Sequence, residues 1–222
     1  MSAKNSRWFI PSTKWEKVRL GAMLLILFGL FTWSYLIPFY WYTSYSPQQG
    51  DILFQPLPRA NLVIAIEGCT HSPYSHCGVV RRKEEQWVVA EAVGPVKNTS
   101  LFSWIKRGRG AKFAVYRLRK TERRHIPAFI QSIEKYYGRP YDIRYRMDDE
   151  CIYCSELVYK AWHDATGKDL GKVVTLGELD WKPYEKIIRE IEGGPPPLKR
   201  VMITPAHLSR APELKKVFSN GI

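Results

Sequence analysis

Cysteine is scarce in this chain of 222 residues, which contains four, at positions 69, 77, 151 and 154. Four cysteines are too few to stabilise a chain of this length as a disulfide scaffold, which excludes the small disulfide-rich folds. Internal repeats and long low-complexity segments are also absent from the sequence. The hydrophobic fraction of 45% is sufficient to fill a globular core, and the length allows one soluble domain plus additional segments.

Acidic residues are in the minority, since 21 Asp and Glu stand against 34 Lys and Arg and give a net charge of +13. The first 43 residues hold five basic side chains and one acidic side chain, or +4, so the remaining residues carry +9. A basic surface suits anionic lipid, an acidic cell-wall polymer or nucleic acid as a partner. Charge alone does not choose among these partners. The sequence shows no nucleic-acid-binding motif, and we expect no nucleic-acid partner.

Charged residues are absent from Leu20 to Ile37, a stretch of eighteen residues rich in leucine and phenylalanine. Eighteen residues at helical rise reach across the hydrocarbon core of a bilayer. Aromatic residues occupy positions 39–42 directly after Pro38, as in the aromatic belt at a membrane interface. The sequence therefore predicts a transmembrane anchor over residues 20–42, preceded by a basic cytoplasmic N-terminus over residues 1–19.

The distribution of charge around this stretch predicts its orientation. All five Lys and Arg of the region precede the span, and none occurs from Pro38 to Pro58. By the positive-inside rule the N-terminus lies in the cytoplasm, and the main domain faces the periplasm or exterior. We therefore expect a single-pass protein of the inner (cytoplasmic) membrane that contacts membrane lipid through its N-terminal helix. A cleaved signal peptide is the competing interpretation, although no small-x-small cleavage site follows the span. A buried core helix is another, although it would not explain the one-sided charge.

Beyond a short polar linker at residues 43–49, strand patterns come first and helix patterns later. Short apolar runs predict five strands, at residues 51–54, 61–66, 76–80, 86–93 and 112–118. Apolar periodicity predicts helices at residues 126–133, from Cys154 to near Gly167, and within residues 179–191. This order is typical of an α+β domain with a mostly antiparallel sheet.

The stretch from Cys151 to Trp162 has the pattern of a turn that runs into a helix, with Cys154 in the first turn. Spacings of 0, 3, 4 and 7 residues place four side chains on one apolar face: Cys154, Leu157, Val158 and Ala161. At a helix start, unpaired N–H groups and the positive dipole end lower the pKa of a thiol and make it a nucleophile. A cysteine on an apolar face is more often a packed hydrophobic residue, so a base is needed to establish chemistry.

Two polar residues on neighbouring predicted strands supply the groups that a nucleophilic thiol needs. Glu91 lies among apolar residues on one strand face, where a carboxylate without a partner is costly. His76 lies on the preceding strand, and the short connection at residues 81–85 predicts a hairpin in which the two side chains face each other. A carboxylate that orients a histidine, which in turn faces a thiol, is the arrangement used for covalent acyl transfer.

Several motifs in this order resemble those of the bacterial YiiX/YebB-like proteins: Gly50–Ile52, Ser75–Val80, Glu91–Val96, Gly138–Asp142 and Tyr153–Val158. These proteins are permuted papain-like enzymes of the NlpC type, related to the lecithin:retinol acyltransferase group. The resemblance implies a circularly permuted papain-like domain over residues 50–218, with a small antiparallel sheet first and the nucleophile helix after it. It also implies that Cys154 is the nucleophile, His76 the general base and acid, and Glu91 the residue that orients His76.

The expected function is therefore a membrane-anchored cysteine hydrolase or acyltransferase that acts on an amide or ester bond. Cell-envelope peptides and lipid acyl groups are both compatible with the resemblance as substrates, and the mechanism requires no cofactor and no metal. The chain departs from the family pattern at Cys77, which follows His76 where an aliphatic residue is common, and at Cys151.

Three other interpretations remain open. A zinc site would draw its ligands from six residues: Cys69, His71, His76, Cys77, Cys151 and Cys154. Against it, seven residues separate Cys69 from Cys77, and neighbouring residues of a strand point to opposite faces. A redox dithiol at Cys151 and Cys154 would need a βαβ unit, which the sequence does not predict. The third interpretation is a binding module of the cell envelope that has the same fold and no catalysis. A structural disulfide between Cys69 and Cys151 is also compatible with an oxidising compartment, and it would leave Cys154 free.

Overall fold

The structure is a computed structural model that describes residues 13–222. The basic residues Lys4 and Arg7 of the predicted cytoplasmic N-terminus lie outside the described residues. The helices are α1 (Lys14–Phe31), α2 (Ile37–Ser44), α3 (Asn61–Thr70), α4 (Leu101–Arg107), α5 (Ile126–Glu134), α6 (Cys154–Thr166), α7 (Glu185–Glu192) and α8 (Pro205–Ser209). The strands are β1 (Ile52–Gln55), β2 (His76–Lys83), β3 (Gln86–Ala92), β4 (Val96–Ser100), β5 (Ala114–Leu118), β6 (Val174–Thr175), β7 (Val201–Met202) and β8 (Leu214–Ser219).

The N-terminal apolar stretch is one helix of 31 residues, Lys14–Ser44, in which a π-helical turn at Thr32–Leu36 joins α1 to α2. It begins with a capping box, because Thr13 Oγ1 accepts from the Glu16 N–H and the Glu16 carboxylate accepts from the Thr13 N–H. Its most apolar window is entirely unburied, and by length and composition it is able to cross a membrane, a property shared by signal sequences. The predicted linker at residues 43–49 is partly wrong, since Thr43 and Ser44 are helical and Tyr45 is buried.

Six antiparallel strands form the main sheet in the order β4-β3-β2-β1-β5-β8, and β6 and β7 form a small second sheet. The expected α+β architecture with an antiparallel sheet is confirmed, and four of the five predicted strands are present. The strand predicted at residues 61–66 was wrong, because these residues belong to helix α3. A short apolar run has no clear period, and its tertiary surroundings decide between strand and helix. Here Gly68 lets α3 pack closely, since a Cβ atom there would lie 1.9 Å from the Tyr184 ring.

The main sheet separates two hydrophobic cores. The larger core lies on the face covered by α5 and α6, and it contains Cys77, Val79 and the buried side of α6. The smaller core lies on the opposite face, where Val80, Val89 and Trp104 pack with Tyr45 at the end of the N-terminal helix. Alternation along β2 therefore sends His76 and Cys77 to different faces of the sheet, as the sequence predicted.

Candidate active site

Helix α6 carries the predicted nucleophile at its first residue. Tyr153 has an extended backbone, and the Tyr153 hydroxyl accepts a hydrogen bond of 3.0 Å from the Ile203 N–H. Ser155 Oγ donates to the Ile203 carbonyl at 2.8 Å, so both neighbours of Cys154 are tied to the same backbone unit. The predicted apolar face is confirmed, since none of its side chains is solvent-accessible: Cys154, Leu157, Val158 and Ala161. The thiol is thus held at the helix end where the dipole favours negative charge.

His76 and Glu91 meet within the β2–β3 hairpin. Val79 pairs with Ala90, so the same register places Gly78 opposite Glu91 and makes His76 its diagonal neighbour. The two are therefore not directly opposite, and the missing side chain of Gly78 leaves room for the diagonal contact. A Cβ atom at Gly78 would lie 2.5 Å from Val89 Cγ1 and 3.2 Å from Glu91 Cβ. His76 Nε2 lies 2.6 Å from Glu91 Oε2, and both side chains are almost completely buried.

Glu91 has two further hydrogen-bond donors on the smaller-core side of the sheet. Thr99 Oγ1 on β4 donates to Glu91 Oε1 at 2.5 Å. Arg107, the last residue of α4, donates from Nη2 to the Glu91 oxygen that also contacts His76. A buried carboxylate requires such partners, and with them it stays ionised beside the imidazole.

Each of the three groups, Cys154, His76 and Glu91, shifts the pKa of its neighbour toward the charged form. Burial raises the pKa of Glu91, but His76 and Arg107 outweigh it and lower that pKa to about 2. Burial lowers the pKa of His76, but Cys154 and Glu91 outweigh it and raise that pKa to about 9. A hydrogen bond from Cys77, opposed by burial and assisted by His76, holds the pKa of Cys154 well below its usual value. The arrangement therefore favours a thiolate beside an imidazolium.

Sequence reasoning missed four residues that contact this group: Cys77, Thr99, Arg107 and Tyr141. In the sequence Cys77 stands out only as a departure from the family pattern, whereas in the fold it lies in the same buried cluster as Cys154 and lowers the pKa of that thiol. Tyr141 belongs to a recognised motif without an assigned role, and its hydroxyl interacts with Cys154. Thr99 and Arg107 carry no signal in the sequence, because a polar strand and a short basic helix are common on surfaces.

The other candidate zinc or disulfide residues are not brought together. His71 is exposed and lies 3.1 Å from Asp180, Cys151 is only partly buried, and Cys69 lies in the larger core. All four cysteines are free. Within residues 13–222, no group of three or more His, Cys, Asp and Glu side chains is arranged to hold a metal ion.

Residues 46–218 match the family of permuted papain-like amidase enzymes of the YaeF/YiiX type, also called the C92 family. The chain belongs to this family. It is 35% identical over 179 residues to the uncharacterised protein YiiX of Escherichia coli K12, an alignment that covers 78% of this chain and 87% of YiiX. A crystal structure of YiiX from Escherichia coli O157:H7 superposes with a TM-score of 0.72 at 34% identity, covering 79% of this chain and 99% of that one.

Family membership confirms the predicted permuted papain-like relationship and makes this chain a member of an amidase family, consistent with a cysteine hydrolase. The YiiX protein of that crystal structure is described as a metalloprotein. The side chains of residues 13–222 do not form a metal-binding group in this chain, so they do not fit that description.

Proposed function

We propose that this protein is a membrane-anchored cysteine hydrolase that cleaves an amide or ester bond through Cys154, His76 and Glu91. One observation carries the proposal, namely a thiol at a helix N-terminus that interacts with an imidazole held 2.6 Å from a buried carboxylate. A nucleophile, a base and a group that orients the base are the components of covalent acyl transfer.

In the proposed reaction the Cys154 thiolate attacks the substrate carbonyl, and a carbon–sulfur bond forms. The imidazolium of His76 gives its proton to the leaving amine or alcohol as the bond to the carbonyl carbon breaks. A thioester remains on Cys154, and water attacks it after His76 removes a proton from that water. The carboxylic acid product and the thiolate are then released. The backbone N–H of Cys154 is a candidate donor to the oxyanion, and an acceptor other than water would make the same enzyme an acyltransferase.

The N-terminal helix supports the membrane part of the proposal. The end of this helix belongs to the smaller core, since Tyr42 packs edge-on against Phe102 and Trp41 against Phe218. Tyr45, directly after the helix, is buried and lies 5.9 Å from the Phe113 ring, centroid to centroid. Cleavage after the apolar stretch would expose these contacts, which favours an uncleaved anchor over a signal peptide. The charge distribution supports an orientation with the N-terminus in the cytoplasm and the catalytic domain in the periplasm or exterior.

The first test is the ionisation of Cys154 in the full-length protein. Thiolate absorbance in the ultraviolet, measured against pH, reports ionisation even where the thiol is inaccessible to reagents. We expect a thiolate that persists well below the free-thiol pKa of about 8.5. The signal should be lost in Cys154→Ala and should shift to higher pH in His76→Ala.

Site-resolved iodoacetamide labelling provides the second measurement, with the other three cysteines as internal references. Fast labelling of Cys154 at low pH, slowed by His76→Ala, would support an activated nucleophile. An ordinary pKa of the Cys154 thiol in both the wild type and His76→Ala would contradict the mechanism and favour a binding module without catalysis. Full turnover of an identified substrate by Cys154→Ala would also refute it.

A further inference from the structure

Helix α4 fixes one side of the N-terminal helix to the soluble domain. Phe102 of α4 packs on Tyr42, and the ammonium of Lys106, one turn further along α4, lies 3.6 Å from the centroid of the Tyr35 ring. The two helices therefore run antiparallel, and the last turn of α4 points toward the middle of the apolar stretch. Tyr35 precedes Tyr42 by seven residues, which at 1.5 Å per residue places the Lys106 contact about 10 Å nearer to the membrane.

The position of Lys106 indicates where the headgroups of a bilayer meet this helix. Tyr35 belongs to the uncharged stretch Leu20–Ile37 and lies close to its end. An ammonium group is costly in the hydrocarbon core, so Lys106 belongs at the level of the headgroups. An ammonium over an aromatic ring keeps N–H donors that can bind a phosphate oxygen. The surface of the domain around Lys106 therefore lies at the headgroup layer when the helix spans a bilayer.

The segments of the domain that surround the end of the helix carry charge of one sign. Residues 92–121, which include β4, α4 and β5, contain eight lysines and arginines and no Asp or Glu. Residues 214–222, which include β8, contain two lysines and again no Asp or Glu. Three of the arginines pair with carboxylates of other segments: Arg107 with Glu91, Arg109 with Glu67 and Arg117 with Asp51. No acidic side chain of these segments offsets the charge of their lysines.

Three lysines around the end of the helix form what we call the lysine face: Lys106, Lys112 and Lys215. No carboxylate of residues 13–222 lies within 4.0 Å of their ammonium groups. Lys112 is exposed and follows the turn at Arg109–Ala111, which packs on α2. Lys215 is exposed and lies opposite Arg117, whose Nη2 is 3.5 Å from the Ser46 carbonyl just after the helix. The lysine face therefore lies beside the point where the helix enters the domain.

We propose that the lysine face binds the anionic phosphate headgroups of the bilayer that the N-terminal helix crosses, and that it holds the domain against the membrane in one orientation. The inference rests on the anchor in the proposed function and is independent of the reaction at Cys154. Two features favour lipid over a soluble acidic polymer. The anchor keeps the lysine face at the bilayer surface, and Lys106 is seated on an aromatic ring of the span itself.

The test is the acetylation rate of individual lysines in the full-length protein, measured by mass spectrometry. Nanodiscs of phosphatidylcholine are compared with nanodiscs that also contain phosphatidylglycerol. We expect Lys112 and Lys215 to react about fivefold more slowly in the anionic discs, the factor that corresponds to about 1 kcal/mol per lysine at an anionic surface. Lys168 and Lys199, which are exposed and lie outside the lysine face, should react at equal rates in both. High salt should remove the difference at Lys112 and Lys215, because it screens exposed charges.

A pair of variants makes the result specific. Lys106→Glu combined with Lys215→Glu should bring the rate at Lys112 in anionic discs up to the rate in phosphatidylcholine discs. Lys168→Glu combined with Lys199→Glu makes the same change of charge and should keep the wild-type difference. If the first variant does not fold, the effect of salt on the wild-type protein decides the question.

The outcomes separate this inference from the proposed function. Equal rates at Lys112 and Lys215 in the two kinds of disc would overturn the lysine face, while a protein retained in the discs through a high-salt wash would still support the anchor. A protein that does not enter the discs would refute the anchor, and this inference with it. Equal slowing by soluble polyglutamate in phosphatidylcholine discs would assign the lysine face to an acidic polymer and overturn the lipid assignment.

Discussion

Two buried carboxylates, one on each side of the candidate nucleophile, have opposite electrostatic surroundings. Glu91 and Glu156 are both completely inaccessible to solvent. Glu91 is contacted by His76, Arg107 and Thr99, and its pKa falls to about 2. Glu156, in the first turn of α6, accepts from the Tyr153 N–H at 3.2 Å and lies 2.9 Å from Lys160. Burial outweighs these contacts and raises the pKa of Glu156 to about 7.

Because both carboxylates are equally buried, the difference between their pKa values follows from how strongly the partners of each oppose the effect of burial. Lys160 also contacts the carboxylate of Asp149 at 3.0 Å and the carbonyl of Asp148 at 2.6 Å, so its charge is shared among several acceptors. Glu91 has two cations directed at one oxygen. We therefore assign Glu91 to charge stabilisation of the imidazolium and Glu156 to capping of the helix that carries Cys154.

The largest difference between the Glu91 and Glu156 carboxylates should be in their effect on catalysis. Glu91→Gln should lower kcat/KM for a hydrolysed ester by about 10²–10⁴, because the imidazolium loses its charged partner and its orientation. Glu156→Gln keeps a side-chain oxygen for the Tyr153 N–H and should change kcat/KM by less than about threefold, since it meets no reacting group. Steady-state kinetics on variants with wild-type circular dichroism provide the measurement. An equal loss of kcat/KM in the two variants would contradict the assignment of different roles to Glu91 and Glu156.

The second effect is on stability, and its pH dependence should have opposite signs at the two sites. The pKa of Glu91 is depressed from 4.5 to about 2, so its contribution is present above pH 4.5 and is lost as the pH falls between those values. The pKa of Glu156 is raised from 4.5 to about 7, so the free energy of unfolding decreases as the pH rises through that interval. Relative to wild type, Glu156→Gln should therefore become stabilising above pH 7, by about 1–3 kcal/mol.

Urea unfolding at pH values from 3 to 8 measures both trends with the same proteins. Wild type should be more stable than Glu91→Gln at neutral pH, and this advantage should decrease as the pH falls below 4.5. Glu156→Gln should be more stable than wild type above pH 7, and this advantage should decrease as the pH falls toward 4. A parallel pH dependence in the two variants would mean that the partners do not set the two pKa values.

A smaller effect should follow from removing one partner of Glu91. Arg107→Met leaves His76 in place but deprives the carboxylate of its second cation, so we expect kcat/KM to fall by about tenfold. The thiolate titration of Cys154 should change with it, because the Glu91–His76 pair is weakened. Arg82→Met is a suitable control, since Arg82 pairs with Glu85 at the exposed tip of the β2–β3 hairpin. A wild-type titration in Arg107→Met would limit Arg107 to a structural role.

The smallest effect should come from the contact between the N-terminal helix and α4. Tyr42→Ala removes the ring that packs on Phe102, at a cost of about 1 kcal/mol, and should lower the Tm by about 2–4 °C. Since α4 carries Arg107 at its end, kcat/KM should fall by no more than about twofold. Tyr40→Ala removes a ring that is 60% exposed and should leave the Tm unchanged in detergent. An unchanged Tm in Tyr42→Ala would show that the helix end is not docked on the domain.

Much of the site could be predicted from the sequence because its signals are local. Helical spacing around Cys154 and alternation around Glu91 placed both side chains in buried positions, as the structure shows. The run at residues 61–66 was misleading, because the five apolar residues that follow Asn61 fit a strand as well as a helix. Strands β4 and β8 were also missed, since Lys97-Asn-Thr-Ser100 and Leu214-Lys-Lys216 are too polar to suggest sheet edges.

The sequence by itself determined the apolar N-terminal helix, the α+β class, the family and the three residues of the candidate catalytic group. Each of these depends on periodicity, composition or a motif, which are properties of neighbouring residues. Only the tertiary structure decided that Arg107 and Thr99 hold Glu91, and that Cys77 lies close enough to Cys154 to lower the pKa of its thiol. Those contacts join segments that are distant along the chain, and the pKa values follow from which charges meet in a buried place.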